Sequence, residues 1–253
     1  MKKILALVLA ALMIVTLFSF VSCKKDDDGA KKLVMATNAY FQPYEFYEGD
    51  KIVGIDAEIA AAIAEYLDME LEIQDMEFDS IITAVNAGSV DFGMAGMTVT
   101  ADRLLEVDFT ASYATGVQSI IVKNDSSIKV ADDLYAENAS YMVGVQAGTT
   151  GDIYSTDDFG ADNVVRYTNG NNAVMALNQG AVDCVIIDNE PAKALVKANA
   201  GLKILDTAYA NEDYAICVKK NNTELLNDLN RAIEALTENG TIDAIVAKYI
   251  PAE

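Results

Sequence analysis

From Leu33 onward the chain moves between two hydrophobic periods. Short apolar runs at 33–37, 71–73 and 90–95 have the length and composition of strands. Between them Ile59, Ala62, Ile63, Tyr66 and Leu67 recur at helical spacing, which predicts a helix opened by Gly54-Ile55-Asp56 with Asp56 as its N-cap. A second helix is predicted over 81–87, with Gly88 as its stop. Strand, helix, strand, helix, strand is the order of a parallel α/β lobe. After a further strand at 120–123 a second set begins: a strand over 141–145, a turn at 148–152 into a helix, a strand over 164–167, a helix over 173–179 and a strand over 182–187. The end of the chain predicts a strand over 214–219 and helices over 224–236 and 242–249. Residues 113–117 and 210–214 read as paired crossing segments, and two crossings make a hinge. This divides the chain into lobe 1 (33–114 and 214–253) and lobe 2 (118–210).

The two sets are related. Asn86-Ala87-Gly88-Ser89-Val90-Asp91 and Asn178-Gln179-Gly180-Ala181-Val182-Asp183 share the pattern Asn-x-Gly-x-Val-Asp, placed between a helix and a strand. The same step along the chain carries Gly96 to Asp188. Ligands of open α/β sheets sit at the carboxyl ends of the strands, so equivalent positions in two facing lobes aim at one cleft. In the first lobe the strand runs into Gly96-Met97-Thr98-Val99-Thr100-Ala101-Asp102-Arg103. Arginine offers a planar fork that matches a carboxylate, glycine allows close approach to the main chain, and threonine adds a hydroxyl donor. Thr100 can cap a short helix from Ala101. Taken alone the segment also fits a strand-to-helix turn with an exposed arginine, and the repeat also fits a generic α/β unit. Taken together, Arg103 on one jaw and Asp188 on the other suit a zwitterion, of which an α-amino acid is the commonest small example.

Residues 1–22, with Lys2 and Lys3 before an apolar run, read as a secretory signal peptide or, alternatively, a membrane anchor. Residues 23–32 are charged and read as a flexible tether. The net charge of −21 argues against nucleic acid or anionic lipid as partner. No histidine is present, which removes Ser-His-Asp and Cys-His nucleophiles and His-ligated metal sites; no metal or cofactor is expected. Gly148 to Gly151 lacks the Gly-Lys-Ser/Thr or GxGxxG pattern of a nucleotide loop. Cys184 and Cys217 lie in apolar strand-like runs and read as buried free thiols rather than a disulfide, although spacing alone leaves both open.

The residues from Leu33 to Tyr249 resemble the polar amino-acid-binding branch of bacterial extracellular solute-binding proteins, the receptors of ABC importers. The resemblance is carried by Gly54-Ile55-Asp56-Ala57-Glu58-Ile59 with Ile63-Ala64 and Leu67, and by Ala95-Gly96-Met97-Thr98-Val99-Thr100 with Arg103 and Val107-Asp108-Phe109-Thr110. Val21-Ser22-Cys23 is similar to a lipobox, with Phe20 where leucine is usual, which implies lipidation at Cys23 and a place on the outer face of the membrane. The family implies a two-lobed, type II Venus-flytrap fold with two hinge strands. It implies a non-enzymatic monomer that takes a free L-amino acid, polar or cationic, and delivers it to a membrane permease. Carried over, Gly96, Thr98 and Arg103 would hold the ligand's α-carboxylate, and Asp188 its α-ammonium. Gly148, Thr149 and Thr150 would close lobe 2 over the carboxylate; Asn38, Phe41, Phe78 and Gln146 would meet the side chain. Relatives often have an acid at Asn38 and, in glutamine receptors, a lysine at Gln146, so the amino acid itself stays open. Two alternatives use the same scaffold: a cyclohexadienyl dehydratase, for which Asp188 or Glu77 would have to act as general acid, and a ligand-sensing domain.

Overall fold

A computed structural model describes residues 31–136, 139–206 and 209–251. The signal segment, Cys23 and most of the tether lie outside the described residues; Lys32, assigned above to the tether, already belongs to the first strand.

The strands are β1 (Lys32–Thr37), β2 (Tyr40–Phe41), β3 (Glu45–Glu48), β4 (Lys51–Val53), β5 (Glu70–Asp75), β6 (Phe92–Gly93), β7 (Val107–Lys123), β8 (Val143–Gln146), β9 (Val164–Tyr167), β10 (Cys184–Asp188), β11 (Leu202–Ile204) and β12 (Ala210–Lys219). The helices are α1 (Ile55–Tyr66), α2 (Ile81–Ala87), α3 (Ala101–Glu106), α4 (Thr150–Phe159), α5 (Gly170–Gln179), α6 (Asn189–Ala198), α7 (Thr223–Glu238) and α8 (Thr241–Tyr249). The main sheet runs β5-β1-β6-β12-β7-β10-β8-β9, with β11 added to β7, and β2-β3-β4 form a separate small sheet. β5, β1 and β6 are parallel, as are β10, β8 and β9. Between these groups β7 and β12 pair antiparallel along nearly the whole of β12. The start of β7 lies against the end of β12, beside β6; the end of β7, from Gln118, pairs with β10. Two long strands thus carry the chain between two parallel α/β lobes, the type II arrangement with a two-strand hinge. Register shifts on both sides of Ala215 in β12 bend the crossing.

The internal repeat is bonded twice in the same way. Gly88 and Gly180 end α2 and α5 in the left-handed conformation, at φ 72° and 78°. The amide of Asp91 donates to the carbonyl of Val34 at 2.9 Å while its carboxylate accepts from the Val34 amide at 2.7 Å. Asp183 makes both bonds to Met142, at 2.8 Å each. Each Asp therefore pins the start of its strand to the neighbouring strand, and both strands then deliver their ends to the same cleft.

Several elements differ from expectation. The N-cap of α1 is Gly54, at φ 126°, and Asp56 lies inside the first turn. A Cβ on Gly54 would stand 2.2 Å from the Tyr44 carbonyl oxygen, so the close approach of β4 to the 43–44 turn requires glycine. Asp56 does not cap because its carboxylate turns inward to Gly96 and Tyr113. The aromatic residues that follow β1 form β2 and β3, and only Phe92–Gly93 of the 90–95 run is strand. Cys184 and Cys217 are both buried free thiols, one on β10 and the other on β12.

Candidate ligand-binding cleft

Between the lobes lies a narrow, nearly closed cavity whose lining includes Asn38, Phe41, Phe78, Gly96, Thr98, Arg103, Gln146, Thr149, Thr150 and Asp188, together with Glu45 and Ala95. Of the residues proposed from the sequence to meet a ligand, Gly148 and Tyr40, an aromatic also expected to enclose the side chain, are not part of this lining; the Gly148 carbonyl accepts from Arg103 and Tyr40 is exposed.

Arg103 reaches the cleft because Thr100 caps α3, its hydroxyl accepting from the Arg103 amide at 3.2 Å. Arg103 is 7% exposed, and its guanidinium lies 5.3 Å from the centre of the Phe78 ring. Nη1 donates to the Thr98 carbonyl at 2.6 Å and Nη2 crosses to the Gly148 carbonyl at 3.0 Å. Among the described residues no carboxylate is hydrogen-bonded to it. Burial lowers its pKa, opposed first by the charge of Glu212.

The second lobe answers with the start of α4, where Thr149 and Thr150 line the cleft. Thr149 caps it, accepting from the Asp152 amide at 3.3 Å and donating to the Gln146 carbonyl at 2.8 Å. Gly148 is held by Asp152, which accepts from its amide at 3.1 Å, and Arg166 in turn grips Asp152 at 2.9 Å. The Gly148 amide is therefore already engaged. So is that of Gly96, which donates to Asp56 at 2.8 Å; Gly96 offers the cleft a missing side chain, and a Cβ there would stand 2.8 Å from the Phe41 ring. At the far end Asn38 donates to the Met76 carbonyl at 2.8 Å, which orients its oxygen to accept from Gln146 across the cleft at 2.9 Å.

Asp188 is 7% exposed. Gln118 Nε2 donates to one of its oxygens at 2.7 Å and to Glu212 at 2.9 Å; the Tyr214 hydroxyl donates to the other oxygen. Burial, then the neighbouring charge of Glu212, pushes the Asp188 carboxyl up to about 8. A second acid pair lies in the first lobe, at the edge of the cavity. Asp56 accepts from Gly96 and from the Tyr113 hydroxyl, both at 2.8 Å, and burial raises it to about 6. Glu45, fully buried beside it, is held well above the usual carboxylate range by burial and by the Asp56 charge. Glu45 was missed in the sequence, although an acid inside an aromatic run was a signal. Gln118, Glu212 and Tyr214 gave none.

These raised acids set the pH dependence of the empty protein. Their folded-state pKa values exceed the roughly 4 of an unfolded carboxylate, so the stability they contribute is full below that value and is lost as pH rises through about 6 for Asp56 and about 8 for Asp188. Glu58, Glu72, Asp108 and Asp133 are shifted downward, and what they contribute is lost only on acidification toward about 4 and below. Ligand-free protein is therefore expected to melt at a higher temperature at about pH 5.5 than at about pH 8 by scanning calorimetry. A higher melting temperature at the alkaline end would contradict the raised acids.

The model of the bacterial extracellular solute-binding proteins, family 3, matches residues 33–252, and the chain belongs to that family. It is 32% identical to the arginine-binding extracellular protein ArtP of Bacillus subtilis, with 100% of each chain covered. It is 31% identical to a probable histidine-binding protein of Neisseria gonorrhoeae, covering 87% of this chain and 83% of the relative. Among solved structures, an ancestral arginine-binding protein bound to glutamine superposes with a TM-score of 0.81 at 37% identity, covering 87% of this chain and 98% of that one. The chain is thus an extracytoplasmic binding protein and not an enzyme, which sets the dehydratase alternative aside.

Proposed function

We propose that the cleft captures a free L-amino acid with a polar or cationic side chain and that the closed, loaded protein delivers it to the permease of an ABC importer. The observation that carries this is the placing of one buried guanidinium, Arg103, and one buried carboxyl, Asp188, on opposite lobes of a single cavity without a bond between them. A bound zwitterion supplies the partner each lacks: its carboxylate takes the Arg103 fork, Thr98 and the amides at the start of α4, and its ammonium takes Asp188. Without it, closure buries the Arg103 charge with no anion beside it and forces a proton onto Asp188, so the ligand favours closure by making both pairs.

The side chain of the ligand extends between Phe41 and Phe78 toward Asn38 and Gln146. Relatives named for arginine and for histidine, and an arginine-binding structure holding glutamine, support nitrogen-bearing side chains. Lipidation at Cys23 would tether the receptor beside its permease. A thermal-shift screen against the twenty amino acids plus cystine, ornithine and citrulline tests the proposal. Saturation at about 100 times Kd stabilises a native-state binder by about 2.7 kcal/mol, a rise of several degrees. A flat response across the whole set would overturn it.

A further inference from the structure

Tyr214 stands where the hinge strand β12 is irregular, and it belongs to both sides of the cleft. Its backbone is tied to the carboxylate side. It forms a bridge to Thr98, the next residue's amide donates to Met97 at 3.0 Å, and the Val99 amide donates to Asp213 at 3.2 Å. Its hydroxyl is tied to the ammonium side, donating to Asp188 on β10. The ring is fully buried, set edge-on against Tyr44 with 5.2 Å between centres, and it passes over Gly116 of β7, where a Cβ would stand 2.2 Å from the hydroxyl. A tyrosine has only two side-chain torsions, and packing on both faces leaves neither free. Where the backbone of the Thr98 segment goes, the hydroxyl goes.

We infer that Tyr214 is the positioning residue that couples the two halves of the site, its rigid ring fixing the aim of Asp188 relative to the segment that holds Arg103 and Thr98. The inference rests on the proposed assignment of Asp188 to the ligand's α-ammonium. Tyr214 touches no ligand itself, since it lies behind the cavity lining. Asp188, so held, lines the cavity. Gln118 performs the matching task on the other oxygen, and its second hydrogen goes to Glu212 of the same hinge strand as Tyr214.

The role has a signature that packing alone would not give. A donated hydroxyl stabilises an ionised carboxylate, so its removal raises the pH at which Asp188 takes a proton. The other groups whose charge is felt at Asp188 are Glu212 from β12, Glu45 and Tyr44 from the first lobe, Tyr154 from α4 and Arg103 from α3. None of them is altered by Tyr214→Phe, which keeps the ring.

The experiment measures Kd against pH by titration calorimetry for wild type and Tyr214→Phe, using the amino acid that gives the largest thermal shift with wild type. Affinity requires both an ionised Asp188 and a protonated ligand ammonium, so on the acid side it falls past a break set by Asp188. Tyr214→Phe is expected to raise Kd about tenfold or more at about pH 8 and to move the break to higher pH. Loss by the same factor at every pH with the break unmoved, or a Kd within about threefold of wild type, would overturn the inference. Should the phenylalanine variant fail to fold, 3-fluorotyrosine placed at position 214, a stronger donor of the same shape, must move the break to lower pH; an unmoved break overturns the role. A wild type that binds no amino acid overturns the ligand assignment instead, which separates the two failures.

Discussion

Arg103→Ala is expected to remove amino-acid binding while leaving the protein folded. The guanidinium is the buried cation of the cleft, and its fork meets only backbone carbonyls of Thr98 and Gly148. Removing one partner of a buried, hydrogen-bonded charge pair costs about 3 to 5 kcal/mol, or between two and four powers of ten in Kd. Folding escapes this cost because the same residue is a burden when no anion is bound: its burial disfavours the charge it carries. The ligand-free melting temperature of the variant should therefore stay within a few degrees of wild type, while the ligand-induced shift vanishes. Arg103→Lys separates charge from geometry. It keeps the cation and loses the planar fork, so it should recover part of the affinity and no more. Undiminished binding in the alanine variant by calorimetry would remove Arg103 from the site.

Much of this was readable in the chain, for reasons that can be located. Gly88 and Gly180 end their helices, and Asp91 and Asp183 pin the strands that follow. All these contacts are either local or between neighbouring strands, and the repeated pattern advertises them. The Thr100 cap was readable because a capping hydroxyl acts within three residues. The convergence of Asn38, Gln146, Arg103 and Asp188 on one cavity was expected from the repeat together with the family resemblance.

What escaped is equally specific. β7 runs for 17 residues, but only its apolar end at 120–123 and the crossing at 113–117 were marked; Ser112 to Gln118 carries no continuous apolar run, because one strand serves two lobes and a hinge. α6 is not among the helices expected from the sequence; its Pro191 sits in the first turn, where no helical amide is required. Asp56 looked like a cap and is instead a buried acceptor for an amide 40 residues away. The contact of Gln118 with Glu212 spans 94 residues. Such pairings exist only once the hinge strands have crossed, and nothing local in the chain signals them.

These hidden contacts change how the site is understood. Asp188, Glu212, Asp56 and Glu45 are all buried around a cleft whose buried cation is Arg103. Acids so crowded cannot all ionise together, and the shifts of Asp188, Asp56 and Glu45 are all upward. The closed, empty cleft accordingly holds protons, and a ligand bearing an ammonium group replaces one of them with a charge fixed to carbon. A carboxylate side chain would instead add a further anion to this group, which is a physical reason for the cleft to reject acidic amino acids.

Asp188→Asn tests that exchange directly. The amide keeps the shape of the carboxyl and leaves an oxygen for the Tyr214 hydroxyl, but it carries no charge for an ammonium. Affinity for the free amino acid is expected to fall by about two powers of ten or more, and Asp188→Ala should fall as far, because the missing charge rather than the missing volume is responsible. Ligand-free stability should move the other way. Since the folded protein holds Asp188 up to about 8, removing an ionisable group there relieves the alkaline part of the stability loss, and the melting temperature at about pH 8 should rise toward its value at about pH 5.5. The preference for a free over an N-acetylated α-amino group should collapse in both variants, as read by competition calorimetry. A variant that binds the free amino acid as tightly as wild type, or a wild type indifferent to acetylation, would show that the ammonium is held elsewhere.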